Sequence, residues 1–446
     1  MNKPATALDI REKMSHSWRA LRHRNFKLFF AGQSISIVGT WMTKLATTWL
    51  VYRLTHSSLL LGIVGFAGLI PTFALAPFAG VWIERLNRRQ LLVWTQAAAA
   101  IQSLSMAALT LAHVIALWEI IALAVFQGLI NAFDTPGRQI FLVQMVEDRN
   151  DLSNAIAINS SMANGARLIG PAIAGLVIAA FGEGGCFLID GISYFAVIAS
   201  LLLMRIKPLD IQRGNASMFE QMREGWQYVS TFRPARTILL FSALLALMGY
   251  PYTVLLPIFA GQVLHGGPAT LGWLTGASGI GALVSGLSLA VRKSTAGLTR
   301  MLQIAAAVLG GALILFGLSD RLWLSLALMV FVGFGLMQVF SASNTVIQSL
   351  VPEDKRGRVM SYYVMAIFGT APFGSLLAGA LAHRIGAPYT VFVTGAFCIA
   401  TSLWFTLELP KVNAIMRPGY RNMGQDVRLS PARDINLTSD KQQPAI

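Results

Sequence analysis

Gln127, Asn131, Asp134 and Arg138 stand at i, i+4, i+7 and i+11 in a stretch otherwise built of Ala, Ile, Leu, Val and Phe. That spacing puts all four on one helical face. A carboxylate and a guanidinium inside an apolar helix are costly in a bilayer and mark a functional position by default. Asp134 could take up and release a proton, and the amides could hold polar groups of a passing solute. The bland alternative is an ion pair between Asp134 and Arg138 that locks a single helix. Further stripes recur at helical spacing: Gln33, Ser36, Thr40, Thr43 and Thr47 with Lys44 beside them; Ser160, Asn164 and Arg167; Gln338, Ser341, Thr345 and Gln348. Tyr252, with Tyr250, extends the set. Small hydroxyl and amide residues also glue membrane helices together, so each stripe alone reads equally as packing. Taken together they predict a shared polar cavity. Counting about 1.5 Å per residue from the cytoplasmic ends places Asp134 about 12–16 Å deep, Arg167 about 21 Å and Lys44 about 27 Å. Asp134 and Arg167 could then meet. Asp134 is the one acid expected at mid-depth, with Asp190 close to the outer end of its span.

The elements that must carry these residues follow from composition. Of 446 residues, 55% are hydrophobic and 12% charged, where soluble domains carry about 25% charge. The fold class is therefore all-α, a polytopic membrane protein. Twelve stretches are long and apolar enough to cross a bilayer, at 26–53, 58–82, 90–112, 116–142, 153–181, 186–205, 237–263, 270–291, 300–318, 322–350, 359–382 and 389–409. The net charge of +15 would suggest nucleic acid in a soluble protein. Here it follows the positive-inside rule. One set of loops holds only Arg53, Arg321 and Arg384, Lys44, Arg138 and Arg167 lie within spans, and every other Lys and Arg falls on the side of the termini. Both termini are placed in the cytoplasm and no nucleic-acid partner is expected. The partners are the lipid bilayer, a small-molecule substrate and protons, and the protein is expected to be a monomer. No removable signal peptide precedes the first span. Cys186 and Cys398 show no paired spacing, and neither a metal site nor a cofactor is expected.

The domain reading is a cytoplasmic segment 1–25, a six-helix bundle 26–206, a linker 207–236, a second six-helix bundle 237–410 and a disordered tail 411–446. Residues 9–25 read as a surface helix. In the linker, Ser217 and Glu220 form a capping-box pattern, and Phe219, Met222, Trp226 and Val229 follow at helical spacing, which predicts an amphipathic helix. The halves resemble each other: 128–155 aligns with 333–360, and GPAIAG at 170–175 with GSLLAG at 374–379. Such duplication is typical of transporters that hold substrate at the repeat interface.

The loop after the second span reads Gly80-Val-Trp-Ile-Glu84-Arg85-Leu-Asn-Arg88-Arg89. It is similar to the loop signature of the major facilitator superfamily, with Glu84 for the usual Asp and Asn87 for the usual second Gly. Gly80 would let two helices approach. Glu84 would meet a helix end or an arginine across the halves, with Arg358 as the expected partner, and Arg85, Arg88 and Arg89 would complete a cytoplasmic gate. Topology alone would also explain those arginines. Gly170, Pro171 and Gly175 resemble the Gly-Pro-x-x-x-Gly signature of facilitator-type antiporters, where a bend is expected. The segments 39–55 and Asp134-Thr-Pro-Gly-Arg138 resemble the branch holding the enterobactin exporter and macrolide-efflux proteins. That resemblance covers about residues 20–410. It implies the major facilitator fold, alternating access, a bacterial inner membrane, and proton-driven efflux of an amphipathic drug or siderophore. Trp41, Met42, Tyr250, Tyr252 and Met337 would supply adaptable walls. Uptake and lysophospholipid flipping are alternatives within the class, and a non-transporting membrane sensor is one outside it. No His cluster, serine elbow or metal spacing supports an enzyme.

Overall fold

The computed structural model describes residues 19–205, 218–292 and 297–422, and within these every regular element is helical. In chain order they are α1 (Arg24–Thr55), α2 (Ser58–Arg85), α3 (Arg88–Leu111), α4 (Leu117–Met145), α5 (Leu152–Leu203), α6 (Met218–Thr231), α7 (Arg233–Gly249), α8 (Tyr252–Ile258), α9 (Pro268–Ala290), α10 (Leu298–Gly317), α11 (Leu322–Leu350), α12 (Glu353–Phe368), α13 (Ala371–Ile385) and α14 (Ala387–Asn422). Ten helical stretches among the described residues are long and apolar enough to cross a membrane. The chain is thus a multi-pass, all-helical membrane protein. The helix α1 is not among those ten: its central stretch carries Lys44 together with Gln33 and several Ser and Thr residues.

Sequence chemistry explains where helices start. Ser57 Oγ accepts from the Leu60 N–H at the head of α2, and Asn87 Oδ1 accepts from Arg89 and Gln90 N–H at the head of α3. Asn87, a departure from the resembled loop pattern, therefore serves as an N-cap. The long α5 has one residue with non-helical angles, Gly182 at φ 72° and ψ 177°, a conformation open to glycine. The helix keeps helical angles through Pro171, where a bend is expected.

Two expected spans are discontinuous. Residues 237–263 fall into α7 and α8, separated at Tyr250–Pro251 and followed by a wide turn at Phe259–Val263. Residues 359–382 divide into α12 and α13 at Gly369–Thr370. Broken helices of this kind line the binding sites of transporters.

The linker helix α6 docks beside α12. Val229 is buried, Tyr362 Oη donates to the Met222 carbonyl, and Arg358 pairs with Glu224. The C-terminal reading needs correction: α14 continues through Pro410 to Asn422, because Val412 is fully buried and Asn413 Oδ1 accepts from Thr299. The rest of the tail, the expected surface helix up to residue 18 and Ser217 lie outside the described residues.

Candidate functional site

Asp134 sits inside the first half, 2% exposed, facing α3. Its Oδ1 accepts from Thr95 Oγ1 at 2.9 Å and Gln96 Nε2 at 2.7 Å, and its Oδ2 pairs with Arg138 one turn along α4. Of the partners the sequence leaves open, the carboxylate pairs with the i+4 arginine, Arg138, and with neither Arg167 nor Lys44. Gln127 Nε2 donates to Asn131 Oδ1 at 3.1 Å, and both are half-buried on the same helix. Thr95 and Gln96, the groups that hold Asp134, escaped the sequence reading. With Ser103 eight residues on, they form a polar stripe on α3 that helical spacing would have revealed.

Lys44 and Arg167 lie at a second place, where the halves of the chain meet. Lys44 Nζ donates to Tyr250 Oη at 3.2 Å, a bond that crosses from α1 to the break between α7 and α8. The same ammonium is 5.0 Å from the Trp41 ring centroid, and the Arg167 guanidinium carbon is 5.7 Å from it. Trp41 thus has a cation from α1 and a cation from α5 against its ring, a favourable arrangement for indole. Gly170 makes this possible: a Cβ there would fall 2.6 Å from Trp41 Cβ. Tyr252, 3% exposed, bonds Ser278 Oγ of α9 at 2.8 Å.

The expected cavity residues differ in burial, and two of them, Gln33 and Gln338, are enclosed by protein. Gln338 is 1% exposed, and its Oε1 accepts from Ser285 and Ser288 of α9, so it fastens α11 to α9. Gln33 is buried as well. Thr40 is exposed and its Oγ1 donates to the Ser36 carbonyl, while Thr43 donates to Asp190 Oδ2 at 2.8 Å. Ser341 and Thr345 are half-buried, with Thr345 Oγ1 bonded to the Ser341 carbonyl.

Asp190 is a further finding. Expected near the outer end of its span, it is enclosed by protein, 1% exposed and held by Thr43 and by Ser103 Oγ at 3.1 Å. Its other oxygen, Oδ1, is buried without a partner among the described residues. Counting along one helix gives its depth but not its neighbours, and here α1 and α3 both supply hydroxyls to this carboxyl.

The gate residues separate. Arg89 donates to the Leu201 and Leu202 carbonyls at 2.7 and 2.6 Å, capping the C-terminal end of α5. Arg358 is engaged by Glu224 in this structure. Arg88 is half-buried, and the side chains of Gly80, Glu84 and Arg85 lie outside the described residues.

At the end away from the chain termini, the halves touch backbone to backbone. A Cβ on Gly62 of α2 would lie 2.9 Å from Gly379 Cα of α13, and a Cβ on Gly272 of α9 would lie 3.1 Å from Gly175 Cα of α5. Gly175, expected as part of a bend, is thus a contact point between halves.

Residues 15–433 match the family described as transmembrane secretion effector. The chain is 27% identical over 380 residues to the staphyloferrin A transporter of Staphylococcus aureus, covering 85% of this chain and 95% of that one. It is 26% identical over 356 residues to the multidrug efflux pump Tap of Mycolicibacterium fortuitum, covering 78% and 87%. Its fold is similar to that of a bacterial homolog of the human lysosomal transporter Spinster in an inward-facing, unoccupied conformation, with a TM-score of 0.67 at 14% identity over 92% of this chain and 99% of that one.

Proposed function

The chain belongs to the transmembrane secretion effector family of major facilitator transporters, and from that premise we propose that it exports an organic molecule from the bacterial cytoplasm in exchange for protons. In this reading it is a monomer in the inner membrane, with twelve crossings in two six-helix bundles and both termini cytoplasmic. Counting α1 and treating α5 as two crossings around Gly182 extends the ten apolar stretches to that number. The observation that carries the reading is the polar, aromatic cluster of Lys44, Arg167, Trp41 and Tyr250 at the junction of the halves, beside the broken helix α7–α8.

With the termini inside, the Gly62/Gly379 and Gly175/Gly272 crossings close the outer side. The exposure of Lys44 then supports a cavity that opens to the cytoplasm. Rocking of one bundle against the other would separate those glycine contacts and bring the gate loop residues Gly80, Glu84, Arg85 and Arg88 together with Arg358. Asp134 is the proposed proton carrier. Protonation would turn Oδ2 from an acceptor for Arg138 into a donor and so release Arg138, which has no acceptor, while Oδ1 would still accept from Thr95 and Gln96. Gln127 and Asn131 line the same route.

The test is accumulation of macrolides, dyes and siderophores in an efflux-deficient host. Expression is expected to lower accumulation of at least one probe, and an uncoupler to restore it. Asp134→Asn is expected to lose the uncoupler-sensitive part. Full uncoupler-sensitive efflux by that variant would remove Asp134 as the carrier, and unchanged accumulation of every probe would defeat the export reading.

A further inference from the structure

Two cations stand at the junction of the halves with, among the described residues, no carboxylate paired to them. Among the described residues neither Lys44 nor Arg167 has an acidic oxygen within ion-pair distance. The nearby acids are otherwise engaged. Asp134 is taken by Arg138, and Asp190 is turned toward Thr43 and Ser103. Residues 43 and 44 are about 100° apart on a helix, so Thr43 can face Asp190 while Lys44 faces Tyr250.

Trp41 stabilises both cations through its ring but neutralises neither. Isolated charges in a membrane interior are expensive, and proteins keep them where they meet an opposite charge during function. Lys44 is exposed and Arg167 half-buried, so both can be approached. The Tyr250 hydroxyl accepts from Lys44, which leaves its own proton for a further acceptor.

Resting on the export reading above, we propose that the transported molecule is an organic anion, carrying carboxylate or acidic phenol groups, bound between Lys44 and Arg167 against Trp41 and contacted from the other half by Tyr250. Arg167 supplies a planar fork suited to a carboxylate, Lys44 a point charge, and the indole an apolar face for the carbon skeleton. An inorganic anion would satisfy the cations but leave the indole and phenol faces unused. A lipophilic cation would meet two like charges, an arrangement that selects against it. Because the contacts come from α1, α5 and the α7–α8 break, occupation would tie the two halves together.

The experiment uses the full chain in proteoliposomes with an imposed pH gradient and two fluorescent probes of comparable size: carboxyfluorescein, a polyanion, and ethidium, a cation. The wild type is expected to move carboxyfluorescein faster than ethidium. Lys44→Gln and Arg167→Gln are each expected to raise KM for carboxyfluorescein about tenfold or more with kcat largely kept, the pattern of lost ground-state binding. The charge-preserving Lys44→Arg is expected to retain most of the affinity and Arg167→Lys, which keeps the charge but loses the fork, part of it, which separates charge from folding. Preference for ethidium, or an unmoved KM in both glutamine variants, overturns the anion assignment while leaving export intact. A wild type whose carboxyfluorescein transport is abolished by added chloride assigns the cations to an inorganic ion and overturns it as well. A wild type that moves neither probe down the gradient overturns the export reading, and this inference with it.

Discussion

Helices α4 and α11 occupy corresponding places in the two halves, and each is fastened at mid-length by one buried polar side chain. In α4 it is Asp134, held by Thr95 and Gln96 of α3 and by Arg138. In α11 it is Gln338, held by Ser285 and Ser288 of α9. The geometry is alike, a mid-helix acceptor gripped by short donors from a neighbouring helix. The chemistry is not. A carboxyl group can change its charge and its donor–acceptor role, whereas an amide cannot. Both helices therefore share the fastening, and only the one on α4 is made with an ionisable group. The rest of the interior agrees. Lys44, Asp134, Arg138, Arg167 and Asp190 all belong to the first half, while the buried polar groups along α7, α9 and α11 are uncharged: Thr237, Ser242, Thr270, Ser278, Ser285, Ser325, Gln338 and Ser343.

The sharpest way to break this comparison is to remove the cation from α4. Arg138→Ala leaves Asp134 buried beside neutral donors only, and breaking a buried pair from one side costs about 3–5 kcal/mol. A large fall in the denaturation midpoint of the purified protein is expected, and Asp134→Asn combined with Arg138→Gln should recover most of it, a coupling visible in a double-mutant cycle. If the double variant is as unstable as the single one, the pair is not what fastens α4. The matching change in α11, Gln338→Ala, removes an acceptor for two neutral hydroxyls. Neutral hydrogen bonds contribute about 1 kcal/mol each, so a loss of about 1–2 kcal/mol is expected in the same measurement. Equal losses from Arg138→Ala and Gln338→Ala would mean that the charge on α4 adds nothing beyond an ordinary polar contact.

Much of this was legible in the sequence, and the misses have a common cause. Hydrophobic periodicity and the Lys/Arg asymmetry expose helices, so the stretches read as spans coincide with helices in the structure. Breaks inside a span were missed, because Gly249-Tyr250-Pro251 and Gly369-Thr370 are too short to interrupt a hydropathy window. The reverse case is Gly182: the one residue of α5 with non-helical angles falls between the expected spans 153–181 and 186–205, where the sequence does mark an interruption. At the site, spacing grouped Asp134 with Arg138 correctly, since i+4 is local to one helix. It could not say which neighbour each stripe faces. Gln338 and Lys44 both sit on polar stripes, but one is sealed between α11 and α9 and the other reaches across to Tyr250. That choice is set by tertiary packing, through glycine contacts such as Gly170 on Trp41 that no single-helix pattern records.

The smallest expected effect comes from Asp190, and it sharpens the comparison within the first half itself. Asp134 and Asp190 are equally buried, at 2% and 1% exposure, but only Asp134 has a cation against it. Asp190 is held by two hydroxyls, with one oxygen unpartnered. Asp190→Asn keeps an acceptor for Thr43 and Ser103 and carries no charge that would need an offset. Its stability should match the wild type or exceed it by up to about 1 kcal/mol. Asp134→Asn should fall below the wild type, because it strips Arg138 of its counter-ion. The two substitutions are chemically identical and conserve shape, so a difference between their denaturation midpoints isolates the presence of the cation. If Asp190→Asn proves as damaging as Asp134→Asn, burial alone governs both carboxyls, and the distinction between a fastened, switchable acid and a merely enclosed one collapses.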